Sequence, residues 1–397
     1  MLRFHFRFLF AILIACLMSL PGTAASGEAI KVGVLFHLSG DLAHFGNIQK
    51  NSFMVAFEEL QKQFPDGVTI ELIYLDMPTQ PEKAISTMEN LISQEGVSMV
   101  VGGLSSLVAW EVASIAQSHK VPFLMSAATE DRITEQSWEY VFRLNPPFSE
   151  YGNGLQWFLS EVVKPKTIAI VRSKGFTGML SSARMIESCT KAGYEIVVDH
   201  IYDEKITDFR SVLKQINEKK PDVVAMASYL SDAVNIMRQC KELNVNPSIF
   251  VGLGGGFSLP QFGKEAGAAA NYVYSISVWN PSVPYDGSKE FYETFLRRYH
   301  AQPNFHGADA YAAMQVVADV LRRSKNFSHE AIRDALAHTN MSSIIGPIKF
   351  VSYGKKTQQN RLPTYLVQWV DGKMKTVWPP RLACEKYIFP FPGWKEQ

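Results

Sequence analysis

The sequence contains few cysteines and almost no excess of charge of either sign. Four cysteines occur in 397 residues. The three that follow the N-terminal segment, Cys189, Cys240 and Cys384, are too sparse for a disulfide framework and are not spaced as metal ligands. The formal net charge of +1 offers no electrostatic basis for binding nucleic acid or an anionic membrane surface. We therefore expect neither a disulfide-stabilised scaffold nor a nucleic-acid partner.

Signatures of catalysis are also missing. The sequence has no Gly-x-Ser-x-Gly elbow, no Walker-type loop, no His-Glu-x-x-His and no paired-cysteine zinc pattern. The run from Gly252 to Gly256 follows a predicted strand, but a dinucleotide fingerprint would need glycine where Phe257 stands. His300 and His306 have no neighbouring ligand residues in the sequence and are interpreted as surface residues. We predict no catalytic residue, no cofactor and no metal.

The N-terminus has the pattern of an export signal. Arg3 and Arg7 precede an apolar run over residues 8–20, and Pro21 is followed by small residues. This pattern predicts a signal peptide over residues 1–25 and export of the mature chain. A membrane anchor is the alternative, but the run falls short of the roughly 20 residues that span a bilayer. Cys16 leaves a second alternative open, because the residues before it resemble a lipoprotein box.

The remaining chain alternates between strand and helix patterns. Short apolar runs at 30–36, 69–76, 97–102 and 121–125 are separated by segments with helical periodicity. After a break at Asn145-Pro146-Pro147 the same alternation resumes, and three helical segments beyond residue 279 are expected to complete the first block. Such repetition predicts an α/β protein with parallel sheets and helices on both faces. We also expect residues 348–350 and 364–370 to form a closing hairpin-type pair.

Small and hydroxyl-bearing residues follow several predicted strands. They occur at 38–46, at 102–106 and at 126–129, where the carboxyl ends of parallel strands form one edge. Ser105 or Ser106 is placed to cap a helix whose free N–H groups suit a carboxylate. Each serine or threonine taken alone is explained as a cap or a turn residue. Their convergence on one edge of the sheet favours a ligand site.

These segments together resemble a known family. The opening Lys31–Gly40 with Gly46, the loops at 100–106 and 121–129, Phe142-Arg143-Leu144, and the later Gly307–Tyr311 are similar in order and spacing to type I periplasmic binding proteins. The branch with the greatest resemblance is the leucine/isoleucine/valine-binding group that serves ABC importers. The resemblance covers nearly the whole chain after the signal.

The resemblance implies two Rossmann-like lobes, joined by three crossovers, that close on a small molecule. The first lobe is expected over residues 29–144 and 279–342, and the second over 145–278 and 343–397. The expected ligand-binding residues are Ser105, Ser106, Ala127, Ala128, Thr129, Tyr151, Tyr229 and Gly254. The implied function is that of a monomeric, non-enzymatic solute-binding protein for an amino acid or another carboxylate, with an ABC membrane permease as partner. A ligand sensor and an exported enzyme are the alternatives.

One departure from the family concerns the ligand's amine. Amino-acid binders place a carboxylate after a late strand of the second lobe, whereas the corresponding loop here, residues 252–256, is neutral. An ammonium buried without a counter-charge is strongly disfavoured. Either another acid, such as Glu150 or Asp309, replaces that carboxylate, or the ligand is a carboxylate without an amine.

Overall fold

The computed structural model describes residues 29–64, 68–203 and 206–394. The predicted signal peptide over residues 1–25 and Cys16 lie outside the described residues. In the described ranges no helix has both the length and the apolar character that crossing a bilayer requires.

The strands alternate with helices along most of the chain, as the periodicity predicts. The strands are β1 (Ala29–Phe36), β2 (Thr69–Asp76), β3 (Met99–Gly102), β4 (Phe123–Met125), β5 (Val141–Arg143), β6 (Thr167–Ser173), β7 (Glu195–Tyr202), β8 (Val223–Ala227), β9 (Ile249–Gly252), β10 (Tyr274–Ser277), β11 (Asn340–Ser343), β12 (Gly346–Tyr353), β13 (Lys356–Asn360), β14 (Tyr365–Val370) and β15 (Lys373–Trp378). The helices are α1 (Ala43–Leu60), α2 (Pro81–Ser93), α3 (Ser106–Ser118), α4 (Phe148–Tyr151), α5 (Asn153–Phe158), α6 (Phe176–Ala192), α7 (Arg210–Lys219), α8 (Leu230–Glu242), α9 (Pro260–Ala266), α10 (Ser288–Tyr299), α11 (Phe305–Arg323) and α12 (His329–Ala337).

The strands form two separate sheets. The first has the order β11-β12-β13-β5-β4-β3-β1-β2, and the second has the order β15-β14-β10-β9-β8-β6-β7. The central strands are parallel, whereas β12 and β14 run antiparallel to their neighbours. Strands β3 and β8 are buried along their whole length, as expected of parallel strands covered by helices on both faces. The predicted α/β architecture with two sheets is therefore confirmed. We call each sheet with its helices a lobe.

The chain passes between the lobes three times, at residues 144–147, 278–287 and 361–364. The number of crossovers agrees with the prediction, but the third lies later than the predicted boundary after residue 342. Residues 343–360 belong to the first sheet, because β12 pairs with β13 and β13 pairs with β5. The predicted pairing of residues 348–350 with 364–370 is therefore wrong. The sequence pattern did not predict β13 as a strand, because its residues Lys-Thr-Gln-Gln-Asn are polar and show no apolar alternation.

The side chains of β13 hold the first and third crossovers together. The amide of Gln359 accepts a hydrogen bond from Arg143 Nε at 2.6 Å and donates one to the carbonyl oxygen of Asn145 at 2.9 Å. The neighbouring Asn360 donates to the carbonyl oxygen of Leu144 at 3.0 Å. Arg143 and Gln359 are fully buried. The polar strand therefore supplies partners for a buried arginine at the joint between the lobes.

Each lobe has a crevice where its strand order reverses. In the first lobe β1 and β3 are neighbours, but α1 packs on the face that also carries α11, while α3 packs on the opposite face. In the second lobe β6 and β8 are neighbours, and α6 and α8 again lie on opposite faces. Ligands of open α/β sheets bind at such switch points, outside the carboxyl ends of the strands.

Candidate functional site

A cavity of about 740 Å³ lies between the two switch points. This volume falls in the range of about 300–1,000 Å³ that is common for small-molecule sites. We call it the interlobe cavity. Its walls are mostly apolar, with a few hydroxyls, and they come from both lobes: Leu42, Phe45, Leu104, Ser105, Ser106, Ala127, Thr129, Phe305 and His306 from the first, Tyr229, Leu230, Ser231, Leu253, Gly254, Leu259, Ile276 and one side of α6 from the second, and Phe148 and Tyr151 after the first crossover.

All but one of the predicted site residues line this cavity. The loops after β3 and β4 place Ser106, Ala127 and Thr129 there, and the second lobe adds Tyr229 and Gly254. The remaining two lining residues of the prediction are Ser105 and Tyr151.

Ala128 is the exception. Its methyl group is fully buried in the core beneath α3, and its N–H donates to the carbonyl oxygen of Gly103 at 3.0 Å. The loop therefore directs Ala127 and Thr129 to the cavity and the residue between them into the core, so Ala128 is not a lining residue.

Hydrogen bonds connect the two loops of the first lobe. Ser106 Oγ accepts a hydrogen bond from the backbone N–H of Thr129 at 3.2 Å. The buried imidazole of His37 bonds the carbonyl oxygen of Met77 through Nδ1, and its Nε2 accepts from the N–H of Ser105 at 3.4 Å. This pattern requires the neutral tautomer with its proton on Nδ1, and burial lowers the pKa of His37. His37 is thus a positioning residue for the serine loop.

Three helices begin at the wall of the interlobe cavity. Ser106 starts α3, Leu230 and Ser231 lie in the first turn of α8, and Phe305 and His306 start α11. The first-turn N–H groups of a helix have no intrahelical acceptor, and the helix dipole adds partial positive charge there. Three such termini around one cavity favour an anionic group of a ligand.

The glycine loop after β9 fits closely against the start of α8. Gly254 and Gly255 adopt positive φ angles of 86° and 58°. A Cβ atom on Gly256 would lie 2.6 Å from the Cα of Leu230, so no larger residue fits there without displacing the helix. The loop therefore presents backbone, and no side-chain charge, to the cavity.

Among the residues that the structure describes, the lining includes no aspartate and no glutamate, and Arg184 on α6 is the cation. Its guanidinium lies 5.8 Å from the ring centroid of Phe148, whose backbone N–H donates to the carbonyl oxygen of Thr129 at 2.7 Å. Arg184 also pairs with Glu187 at 2.8 Å in a partly exposed ion pair. Exposed pairs of this kind are weak, so the guanidinium remains available to a stronger anionic partner.

Neither acid considered as a substitute counter-charge lines the interlobe cavity. Glu150 lies near Tyr353 of β12, and burial, followed by the neighbouring Glu150, raises the pKa of that phenol. Asp309 is buried in α11 with 1% of its surface exposed, and burial raises its pKa well above the ordinary value. Burial, and secondarily the charge of Asp309, raise the pKa of Tyr151. Asp309 therefore lies behind the wall and favours its uncharged form.

The prediction that His306 is a surface residue is wrong. The residue lies in the first turn of α11 and lines the interlobe cavity, where its ring contacts Phe45 with centroids 5.1 Å apart. Burial lowers its pKa to about 3. His300, by contrast, is exposed as predicted. His306 has no metal or catalytic pattern around it in the sequence, and its place in the cavity comes from the helix N-terminus that a distant segment supplies.

The side of α6 is the other contribution that sequence reasoning missed. Leu180, Ser181, Arg184, Met185 and Ser188 reach the cavity from the middle of a helix, whereas the prediction relied on strand ends. Their spacing of one, three and four residues identifies one helical face, but such a face is normally core. Among the described residues no group of three or more histidine, cysteine or acidic side chains could hold a metal ion.

Comparisons with known proteins agree on one family. The family model described as periplasmic binding protein matches residues 29–373. The Leu/Ile/Val-binding protein homolog 7 of Brucella suis is 29% identical, and the alignment covers 97% of this chain and 99% of that protein.

Solved structures are also similar. The substrate-binding protein LivJ of a branched-chain amino acid transporter from Streptococcus pneumoniae, in complex with isoleucine, has a TM-score of 0.74 and 25% identity, covering 89% of this chain and 100% of that one. A solute-binding protein of an ABC transporter from R. palustris, in complex with benzoate, has a TM-score of 0.72 and 21% identity, covering 88% and 95%. The second likeness concerns the fold alone.

Proposed function

Since this chain belongs to the periplasmic binding protein family, and is thus an extracytoplasmic solute-binding protein, we propose that its ligand is an apolar carboxylate without an amino group. Membership of this family implies that the protein delivers the bound ligand to an ABC importer. We further propose that the protein acts as a monomer, that it is periplasmic rather than anchored through Cys16, and that its partner is the membrane permease.

The observation that carries the proposal is the charge of the interlobe cavity. Within residues 29–64, 68–203 and 206–394, its lining has Arg184, three helix N-termini and hydroxyls, but no carboxylate. An anionic group finds donors there, whereas an ammonium group would be desolvated without a counter-charge. The rest of the lining is apolar and includes the rings of Phe45, Phe148 and Tyr229. The apolar parts of aromatic and branched aliphatic acids therefore match the apolar lining of the interlobe cavity.

The proposed binding mode follows from the geometry of the loops. The ligand carboxylate accepts hydrogen bonds at Ser106 and Thr129 in the first lobe, near the end of the cavity that Arg184 reaches. The apolar part of the ligand extends toward Tyr229, whose side chain is 40% exposed. Closure of the second lobe then buries this ring against the ligand, and the closed form is what the permease recognises.

Isothermal titration calorimetry with matched ligand pairs tests the proposal. Isocaproate differs from leucine, and phenylpropanoate from phenylalanine, mainly by the missing α-ammonium group. We expect each acid to bind at least about tenfold more tightly than its amino acid, a difference of about 1.4 kcal/mol. Leucine or phenylalanine binding more tightly than the matched acid would refute the proposal.

A further inference from the structure

The loop that carries Thr129 continues into a short helical turn that a buried ammonium group holds in place. Lys356, at the start of β13, has only 7% of its surface exposed. Its Nζ donates hydrogen bonds to Oδ1 of Asp131 at 2.8 Å and to Oε1 of Glu135 at 2.7 Å. A buried cation needs such partners, because its charge is otherwise desolvated without compensation. The turn is therefore fixed to β13, the strand that also bonds the first crossover.

Asp131 has a further partner on the other side of that crossover. Its second carboxylate oxygen, Oδ2, accepts a hydrogen bond from the backbone N–H of Ser149 at 3.0 Å. One residue earlier, the N–H of Phe148 donates to the carbonyl oxygen of Thr129 at 2.7 Å. The first two residues of α4 are therefore bonded to the ligand loop of the first lobe, although α4 follows the first crossover.

Helix α4 depends on these external bonds. It has only four residues, Phe148–Tyr151, and a helix of one turn satisfies almost none of its backbone N–H groups internally. Pro147 precedes it and has no side-chain oxygen that could act as a cap. The carboxylate of Asp131 supplies both an acceptor and a negative charge at the start of the helix, where each is favourable.

The position of α4 matters because two of its side chains line the interlobe cavity. These are Phe148 and Tyr151, and the ring of Phe148 also lies 5.8 Å from the guanidinium of Arg184. The next helix, α5, packs in the core of the second lobe. The bonds at the start of α4 therefore determine where this aromatic wall stands relative to Thr129.

Both bonds of Asp131 require its charged form. Burial alone would raise the pKa of its carboxyl group, but the hydrogen bonds from Lys356 and Ser149 outweigh burial and hold the pKa below its ordinary value. An asparagine would offer one oxygen and an NH₂ group that cannot accept a hydrogen bond. It could therefore satisfy either Lys356 or the N–H of Ser149, but not both as the carboxylate does.

We infer that Asp131 is a positioning residue for the ligand site: it holds α4 against the Thr129 loop and so sets the aromatic wall formed by Phe148 and Tyr151. The inference rests on the proposed function only in placing the ligand in the interlobe cavity, and it holds whether or not that ligand carries an amine. Glu135 shares the same ammonium group but makes no bond to α4 in the described part of the chain, so it supports the fold alone.

Asp131→Asn and Glu135→Gln form a matched pair, because each removes one negative charge from the same partner, Lys356. Chemical denaturation should show similar losses of stability in the two variants. Calorimetric titration with isocaproate, phenylpropanoate and leucine should show that Asp131→Asn weakens whichever of them binds by about tenfold, whereas Glu135→Gln changes its affinity less than about twofold. Equal affinities in the two variants would overturn the inference.

Hydrogen exchange of the ligand-free protein tests the same role without any ligand. In Asp131→Asn the backbone amides of residues 148–151 should exchange at least about tenfold faster, whereas Glu135→Gln should leave their exchange unchanged. Unchanged exchange in Asp131→Asn would refute the positioning role and leave the proposed function intact. If leucine alone binds and Asp131→Asn weakens it, the proposed function is refuted and the positioning role stands.

Discussion

At the scale of single residues, the interlobe cavity distinguishes ligands by what its lining lacks. Hydroxyls, backbone N–H groups and Arg184 can satisfy a carboxylate, but no lining residue in the described part of the chain offers a negative charge to an amine. The family resemblance places the carboxylate of amino-acid binders in the loop that here spans residues 252–256, where Gly254 and Gly255 adopt positive φ angles. The glycines therefore account both for the backbone conformation of this loop and for its lack of charge.

Arg184 provides the direct test of the anionic end. Arg184→Met keeps much of the side-chain volume and removes the guanidinium, so the affinity for isocaproate or phenylpropanoate should fall about tenfold, the range of one charge-assisted hydrogen bond. The effect should be absent for the uncharged amides of the same acids. Calorimetry or fluorescence titration measures both.

Lys191→Gln is the matched control for Arg184. It removes a positive charge from the same helix and from the same partner, since Lys191 Nζ and Arg184 both pair with Glu187. Lys191 does not line the interlobe cavity, and its variant should bind the acids as the unchanged protein does. Equal losses of affinity in Arg184→Met and Lys191→Gln would mean that the ligand responds only to the overall positive charge of α6 and not to a direct contact with Arg184.

Sequence reasoning recovered the part of the lining that follows strands. Ser106 and Thr129 were identifiable because they stand in small-residue loops after apolar runs, where parallel strands direct side chains to one edge. Arg184 and His306 were not, because the first lies in the middle of an amphipathic helix and the second depends on where a helix from the end of the chain returns. Tertiary packing brings Arg184 and His306 to the cavity, and local sequence patterns do not encode that packing.

At the scale of elements, β13 explains both a wrong prediction and the joint between lobes. Its polar sequence gives no strand signal, yet Gln359 and Asn360 are almost fully buried and bond the backbone of the first crossover. The pairing of β13 with β5 is thus specified by side-chain hydrogen bonds and a buried arginine rather than by apolar alternation. Periodicity could not reveal it.

Gln359→Met tests the role of that strand. The substitution leaves the buried guanidinium of Arg143 and the carbonyl oxygen of Asn145 each short of a partner. The free energy of unfolding should fall by about 2–4 kcal/mol, the cost of leaving buried polar groups unpaired. Chemical denaturation followed by circular dichroism measures it.

Gln358→Met supplies the comparison for that strand. It makes the same change one residue earlier, at a half-buried residue with a φ of 52° whose side chain takes no part in the hydrogen bonds to Arg143 and Asn145. A loss below about 0.5 kcal/mol in the free energy of unfolding is expected there, because no buried polar group loses a partner. Equal losses at both positions would contradict the role given to Gln359.

At the scale of the whole molecule, the two sheets face each other through their switch points, and three crossovers connect them. The architecture and the number of crossovers were predictable from the alternation of strand and helix together with the family resemblance. The third crossover was misplaced because its position depends on β13. An arrangement of two lobes on a shared joint allows closure by small rotations at residues 144–147, 278–287 and 361–364.

Closure should be visible in solution scattering. Saturating isocaproate or phenylpropanoate, whichever binds, should reduce the radius of gyration, because Tyr229 and its neighbours move onto the ligand. In Tyr229→Ala the ligand should still bind the first lobe, with lower affinity. An unchanged radius of gyration at saturation in the unsubstituted protein would contradict hinge closure.

A competition experiment tests the central claim most directly. Protein freed of ligand by unfolding and refolding is mixed with equimolar leucine, isocaproate, phenylalanine and phenylpropanoate, desalted, and its retained ligand is identified by mass spectrometry. A cavity without a carboxylate in its lining should retain an acid that has no amino group. Recovery of leucine or phenylalanine as the main retained compound would contradict the account.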